Sequence, residues 1–394
     1  MRAHRGNMCS ATLEFLAANV ISSIIELGVY PKLSDCKRFV NLDYDQIEAK
    51  NGHTVVEECR GLVISKPHGE TFSDDLMEKG EFQIVARPMR RFYHFESAFA
   101  PSLEVSSVFV MEKLDGSCIK VWWNPFDNEW RIGTRGTSTA NIKIGGMHKD
   151  SEFTFTTLFK QVVKDFELFT QELDKTKTYV FELCSLYNQV VVAYPESFIT
   201  LLAVVETATG KEENIWNLPD SQFFNKVKRF SLSSKEEMFK FLLEQDPSKF
   251  EGFVLMDKHH NRAKCKHPGY ENLNGLKTAL NSYRNILSLI LMGKLDDVLP
   301  LVSGEIEKEC LRLQEAVRVF IHNGEHVWLN APKFESRKDF ALWCKENKLN
   351  ISLFVLLYEK KVESFKDAVV NNPKARQLNG EYSSTFLDGL YNAI

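Results

Sequence analysis

The chain has 394 residues, 44% of them hydrophobic, 26% charged and 12% aromatic. That composition excludes a disordered, collagen-like or low-complexity chain, and the length predicts two domains. A formal net charge of −4 argues against a protein that coats nucleic acid non-specifically, while leaving room for a local basic cleft. The 29 Phe, 6 Trp and 11 Tyr residues are expected mostly in the core, because aromatic rings bury large areas.

Eight cysteines (9, 36, 59, 118, 184, 265, 310 and 344) are scattered, with no CxxC pair and no zinc spacing. They read as reduced thiols of an intracellular protein. Met1–Arg5 and the short apolar runs after it carry no signal-peptide pattern, and no apolar run reaches the ~18 residues of a membrane span. The expectation is a cytoplasmic protein with no membrane contact.

In chain order, Leu13, Leu16, Ala17, Val20, Ile24, Ile25 and Leu27 fall at helical spacing, which predicts a helix over 11–29 stopped by Gly28. From about residue 60 short Val-, Ile- and Phe-rich runs alternate with turn residues. The strands expected are 61–66, 83–87, 108–111, 117–123, 130–133, 178–183, 190–193, 200–205, 252–256 and 262–266. Asn124–Asn128 reads as a hairpin loop, and helices are expected at 154–175 and 234–244. The hairpin-rich order predicts an α+β fold with mainly antiparallel sheets. Residues 276–322 and 336–370 read as helical, so the expected division is 1–270, then an all-helical 271–394.

No GxxxxGK[ST], HExxH or GxSxG motif is present. The informative stretch is Lys113-Leu114-Asp115-Gly116-Ser117 at the end of a predicted strand. Taken alone it is a turn with solvated charges. Its alternative reading is a nucleophilic lysine, which must lose its proton to attack phosphorus. Lys264 and Lys266, two apart on a strand, share one face, where they can neutralise a phosphate. Alone, that pair is an ordinary solvated strand face.

Together, Lys113–Ser117, Tyr179–Leu183 around Glu182, Glu251–Leu255 and Lys264–Lys266 resemble, in order and spacing, the motifs of the covalent nucleotidyltransferase superfamily of DNA ligases, RNA ligases and capping enzymes. Glu58–Val63, Ala86–Tyr93 and Asn188–Tyr194 are similar to stretches of the phage tRNA-repair ligases of the RNA ligase 1 type. The resemblance covers about residues 35–275. It implies a ligase adenylation domain followed by a helical module that positions RNA, and the use of ATP with Mg²⁺ or Mn²⁺. Lys113 would carry AMP, Lys264 and Lys266 would bind the α-phosphate, Glu182 would meet the ribose, and Glu251 would engage the metal or the lysine. Arg60 and Arg91 match phosphate contacts, with Arg91 standing where the phage enzyme has lysine, and Arg135 is a further candidate phosphate contact. Tyr44 is a candidate for stacking on adenine, although a core or surface tyrosine is the better reading.

The implied partner is RNA with single-stranded breaks, such as a cleaved tRNA anticodon loop. A 5′-kinase and 3′-phosphatase would prepare its ends. The alternatives are a DNA ligase or capping enzyme, and a catalytically silent RNA-binding protein on the same fold. His259-His260 reads as a solvated loop, because adjacent side chains point apart.

Overall fold

The computed structural model describes residues 10–144, 153–280, 282–299, 302, 305–372, 375 and 382–394. Cys9, the Met1–Arg5 stretch and a few positions of the predicted helical stretch 276–322 lie outside them. The chain forms two compact units, Met1–Glu271 and Asn272–Ile394.

The described residues of the first unit form three sheets. One is an antiparallel meander of β1 (Val29–Leu33), β2 (Val40–Tyr44), β3 (Arg60–Ser65) and β4 (Gln83–Ala86). Its apolar face packs against Leu16 of α1 (Ala11–Ala18), Ile21, Ile24 and Leu27 of a 3-10 turn, and Val55 and Val56 of α2 (Thr54–Glu58). The single helix expected over 11–29 is therefore two pieces. Asn19 ends α1 by donating through its side chain to the Phe15 carbonyl at 2.9 Å, and the 3-10 turn stops at Gly28, which adopts a left-handed conformation.

Two five-stranded sheets follow. In one, β5 (Tyr93–His94), β6 (Phe109–Lys113), β12 (Arg229–Phe230), β13 (Gly252–Met256) and β14 (Arg262–Lys266) lie in the order β12-β6-β13-β14-β5. In the other, β7 (Ser117–Asn124), β8 (Glu129–Thr134), β9 (Lys177–Cys184), β10 (Phe198–Glu206) and β11 (Asn225–Lys226) lie in the order β11-β10-β9-β7-β8. Pairing is antiparallel except for β14 with β5 and β10 with β11, as the hairpin-rich sequence predicts. Asn124–Asn128 does turn the chain between β7 and β8.

Helices α3 (Phe155–Val163) and α4 (Phe166–Gln171) replace the single helix expected at 154–175, divided where Lys164 takes a positive φ and Asp165 caps the second piece. They cover one sheet through Phe159 and Phe169, whose rings meet Phe181 of β9 edge-on or tilted at about 5.9 Å. Helix α5 (Lys235–Glu244) covers the other through Met238 and Leu242. The abundant phenylalanines are thus largely core, with Phe99 a conspicuous exception at 50% exposure.

One connection between sheets is polar. Lys120 of β7 is 2% exposed and donates to the Gly61 carbonyl at 2.8 Å and to Asn41 Oδ1. A buried ammonium is tolerated only when it is hydrogen-bonded, and burial pushes the Lys120 amine down to about 7.

The second unit is built of helices and short connections in its described residues. Helix α6 (Pro268–Leu280), whose first turn still belongs to the first unit, leads into α7 (Tyr283–Leu291), α8 (Leu295–Val298), the 25-residue α9 (Glu305–Leu329), α10 (Arg337–Glu346), α11 (Ile351–Tyr358), α12 (Phe365–Val370) and α13 (Ser384–Ala393). Its core joins Leu287, Leu313, Phe340, Phe354, Phe365 and Leu387. Gly324 admits the Phe365 ring against α9, since a Cβ there would lie 2.1 Å from it. Among the described residues no helix is long and apolar enough to cross a membrane, and the seven described cysteines are unpaired.

Candidate active site

Lys113 is the last residue of β6. Antiparallel register sets it opposite Gly252 of β13, and Gly252 in turn opposite Lys266 of β14. Glu251, one residue before β13 and 3% exposed, bridges the two lysines. Its Oε2 accepts from Lys113 Nζ at 2.8 Å and its Oε1 from Lys266 Nζ at 2.9 Å. Gly252 has φ +145°, and a Cβ there would sit 2.2 Å from the Cys265 carbonyl oxygen, so the middle strand admits no side chain at this point.

Lys264 shares the lysine face of β14, as the period-two reading predicts, and makes no ion pair among the described residues. Burial, reinforced by Lys266, Lys113 and Arg60, pushes its amine down to about 8. Burial also lowers Lys113, but Glu251 and Glu182 more than offset it, so the Lys113 amine rests above the ordinary lysine value. Glu182 of β9 accepts from the Gly116 N–H at 3.1 Å, and burial lifts its carboxyl to about 7.

The loop after Lys113 is fixed from below. Asp115, 4% exposed, accepts from the Val191 and Val192 N–H groups at 2.7 Å each and from the Tyr270 hydroxyl at 2.6 Å. The segment 190–193, expected as a strand, is irregular because these backbone donors go to a side-chain carboxylate rather than to a neighbouring strand. Asn188 adds a second tie, donating to Ser117 Oγ at 2.9 Å and to the Leu183 carbonyl at 2.7 Å.

Lys113 opens onto a narrow slot of about 60 Å³ whose apolar walls include Met111, Leu202, Val227 and Val254. Arg60 and Glu182 line it too. Arg60 Nη1 lies 3.8 Å from Cys118 Sγ, and the guanidinium stands 5.3 Å from the Phe92 ring centroid. Lys113, Glu182, Glu251, Lys266 and Arg60 are therefore brought together by three sheets.

The remaining candidates are placed otherwise. Tyr44 is 8% exposed, and its ring is already covered by the guanidiniums of Arg91 at 4.1 Å and Arg135 at 4.6 Å, the environment of a core tyrosine. Arg135 is held by both Asp43 oxygens at 3.0 Å and by the Tyr44 carbonyl at 3.2 Å, and does not line the Lys113 slot. Arg91 lies against Tyr44 and Tyr93, with Nη1 buried and without a hydrogen-bond partner. His260 is half-buried 3.6 Å from Glu212, so its ring is less solvated than the sequence suggests.

Two neighbours of the lysine face escaped the sequence reading. His94 pairs in register with Lys264, but its strand has only two residues and gives no periodic signal. Tyr270 contacts the site from the first turn of α6, with its ring 5.1 Å from Lys266 Nζ.

The site thus sets a lysine at a strand end beside a buried carboxylate, a cationic strand and a slot with apolar walls. Residues 58–270 match the RNA ligase family, and the chain belongs to it. It is 28% identical over 280 residues to a candidate bifunctional polynucleotide kinase/RNA ligase of Autographa californica nuclear polyhedrosis virus. That alignment takes in 66% of this chain and 37% of the viral protein. Among solved structures, an archaeal ATP-dependent RNA ligase is similar at 14% identity over 94% of each chain, with a TM-score of 0.42. A Naegleria gruberi RNA ligase mutant solved with ATP and Mn is similar at 12% identity over 43% of this chain and 52% of its own, with a TM-score of 0.32.

Proposed function

We propose that the chain is an ATP-dependent RNA ligase that joins 3′-OH and 5′-phosphate ends through a lysyl-AMP and an RNA-adenylate. The observation that carries this reading is the Lys113–Glu251–Lys266 bridge, whose Lys113 lines the slot. Lys113 Nζ attacks the α-phosphorus of ATP, forming a P–N bond as the bond to pyrophosphate breaks. Attack needs the unprotonated amine, so the ion pair with Glu251 must open first. The AMP passes to an RNA 5′-phosphate, and a 3′-hydroxyl then displaces AMP to seal the strand.

The apolar walls of the slot suit adenine, and Glu182 suits the ribose. Lys264 and Lys266 suit the α-phosphate, where fixed positive charge offsets what develops in the transition state. Arg60, which lines the slot, serves the remaining phosphates of ATP, and Arg91, which lines the neighbouring cleft, serves a reacting phosphate of the RNA.

The described residues hold no cluster of three metal-ligating side chains. Mg²⁺, held typically by one or two carboxylates together with substrate phosphates, needs no such cluster. Glu251, whose Oε2 is released when the Lys113 ion pair opens, is the carboxylate that would hold it. The ion would neutralise phosphate charge when bound.

We further infer a role in repairing single-stranded RNA breaks, such as a cut tRNA anticodon loop, in the cytoplasm. A 5′-kinase and 3′-phosphatase would supply the ends, a coupling in keeping with the kinase/ligase name of the viral relative. The helical second unit is assigned to RNA positioning. Sealing of a nicked tRNA in preference to nicked duplex DNA tests the substrate. Labelling by ATP and not GTP separates this reading from a capping enzyme, and absence of any covalent label leaves only a silent RNA-binding protein.

A further inference from the structure

A second, larger cleft of about 420 Å³ adjoins the Lys113 slot, and Phe92 and Arg262 line both. Its cations differ in what they already hold. Arg262 is fully engaged by Glu212 through two bonds of 2.9 and 2.6 Å. Arg91 instead keeps Nη1 buried and without a hydrogen-bond partner. Arg90 has its nearest acid, Glu58, at 3.9 Å, beyond hydrogen-bond reach. Two guanidiniums in this cleft therefore have unused donor capacity.

The cleft also contains Phe99, half exposed in a protein whose other phenylalanines are mostly core. Tyr93 backs its ring at 5.6 Å between centroids. The loop that carries it is ordered, since the Phe99 N–H donates to Ser97 Oγ at 3.2 Å and the Ala100 N–H to the Ser97 carbonyl at 3.0 Å. The Phe95 N–H donates to the Lys264 carbonyl at 2.8 Å, which ties the same loop to the lysine strand. An exposed aromatic face held in fixed register with the phosphate-binding lysines is a platform for an unstacked base, and the guanidiniums suit its phosphate.

We propose that this cleft binds one nucleotide of the RNA substrate beside the break, with its base on Phe99 and its phosphate on Arg90 and Arg91. The inference rests on the RNA-ligase reading. The pyrophosphate part of ATP would use the guanidiniums alone and leave Phe99 without a role.

The test uses the full chain with Phe99→Ala, Phe99→Trp and Arg90→Gln. One readout is labelling of Lys113 by α-labelled ATP without RNA. The other is fluorescence-anisotropy binding of a 3′-labelled, 5′-phosphorylated single-stranded oligoribonucleotide. Phe99→Ala should weaken RNA binding about tenfold, Phe99→Trp should restore it, and Arg90→Gln should reduce the salt slope by about one. Labelling by ATP should keep its wild-type rate and KM in all three. Unchanged RNA affinity with intact labelling overturns the cleft assignment and leaves the ligase reading standing. A raised KM for ATP assigns the cleft to the triphosphate and overturns it as well. Failure of the wild-type chain to label overturns the ligase reading itself.

Discussion

Lys113 and Glu251, 138 residues apart in sequence, form a 2.8 Å ion pair in which the Glu251 side chain is 2% exposed. This single carboxylate also neutralises Lys266. The pair fixes the amine in place and, together with Glu182, holds it above its ordinary value despite burial. In this state the Lys113 amine is held protonated.

Glu251→Gln keeps the shape and removes the charge. The Lys113 amine then titrates at lower pH, so the rising limb of the pH–rate profile for adenylation should move to lower pH. The maximal rate should fall at least about tenfold as the amine loses its anchor. Single-turnover labelling across pH measures both, and an unmoved profile contradicts the assigned pairing.

Lys264 gives a second pH signature. Its amine titrates at about 8, so its positive charge is lost as pH rises through that value. The KM for ATP should climb above about pH 8 in the wild type. In Lys264→Arg, whose guanidinium stays charged, that climb should disappear. An identical KM profile in the two proteins would remove Lys264 from the phosphate site.

The motif residues of this site were legible in the sequence, and several of the parts that were not depend on contacts distant in sequence. Lys264 and Lys266 could be set on one strand face because strand alternation is a local rule, whereas Lys113, Glu182 and Glu251 were singled out through the motif resemblance. Strands β1 and β2 were missed because Pro31, Asn41 and Asp43 interrupt their apolar pattern. Pro31 is tolerated on β1 because that strand lies at the sheet edge. Asn41 is buried to receive Lys120, which lies 79 residues away, and the half-buried Asp43 holds Arg135. The run 190–193 misled in the opposite sense, since its apolar pattern is a strand's while its N–H groups answer to Asp115. At Asn41, Asp43 and 190–193 a polar partner distant in sequence overrides a local pattern, whereas the helices expected over 11–29 and 154–175 are divided by local caps at Asn19 and Asp165.

Lys120 links stability to pH. Its folded value of about 7 lies below the ordinary 10.5, so between those values the unfolded chain binds the extra proton. Its contribution to stability therefore rises with pH across that window. The urea midpoint of the wild type relative to Lys120→Met should increase between about pH 7 and pH 9. A pH-independent difference would show that Lys120 keeps an ordinary value in the folded protein.

Gly252→Ala puts a methyl group where the Cys265 carbonyl already stands, at a φ that L-residues avoid. The expected result is a thermal midpoint several degrees lower, by roughly 4 °C or more, and loss of adenylation, because Lys113 and Lys266 flank that position. Wild-type melting and labelling together would contradict the described register.

The central claim is that Lys113 is the residue that takes AMP. Incubation of the wild type with α-labelled ATP and Mg²⁺, followed by denaturing electrophoresis and peptide mapping, should place one acid-labile AMP on the peptide bearing Lys113. Lys113→Ala should carry none while still melting in a single cooperative transition. Label that persists in Lys113→Ala, or that maps to another lysine, would contradict the account.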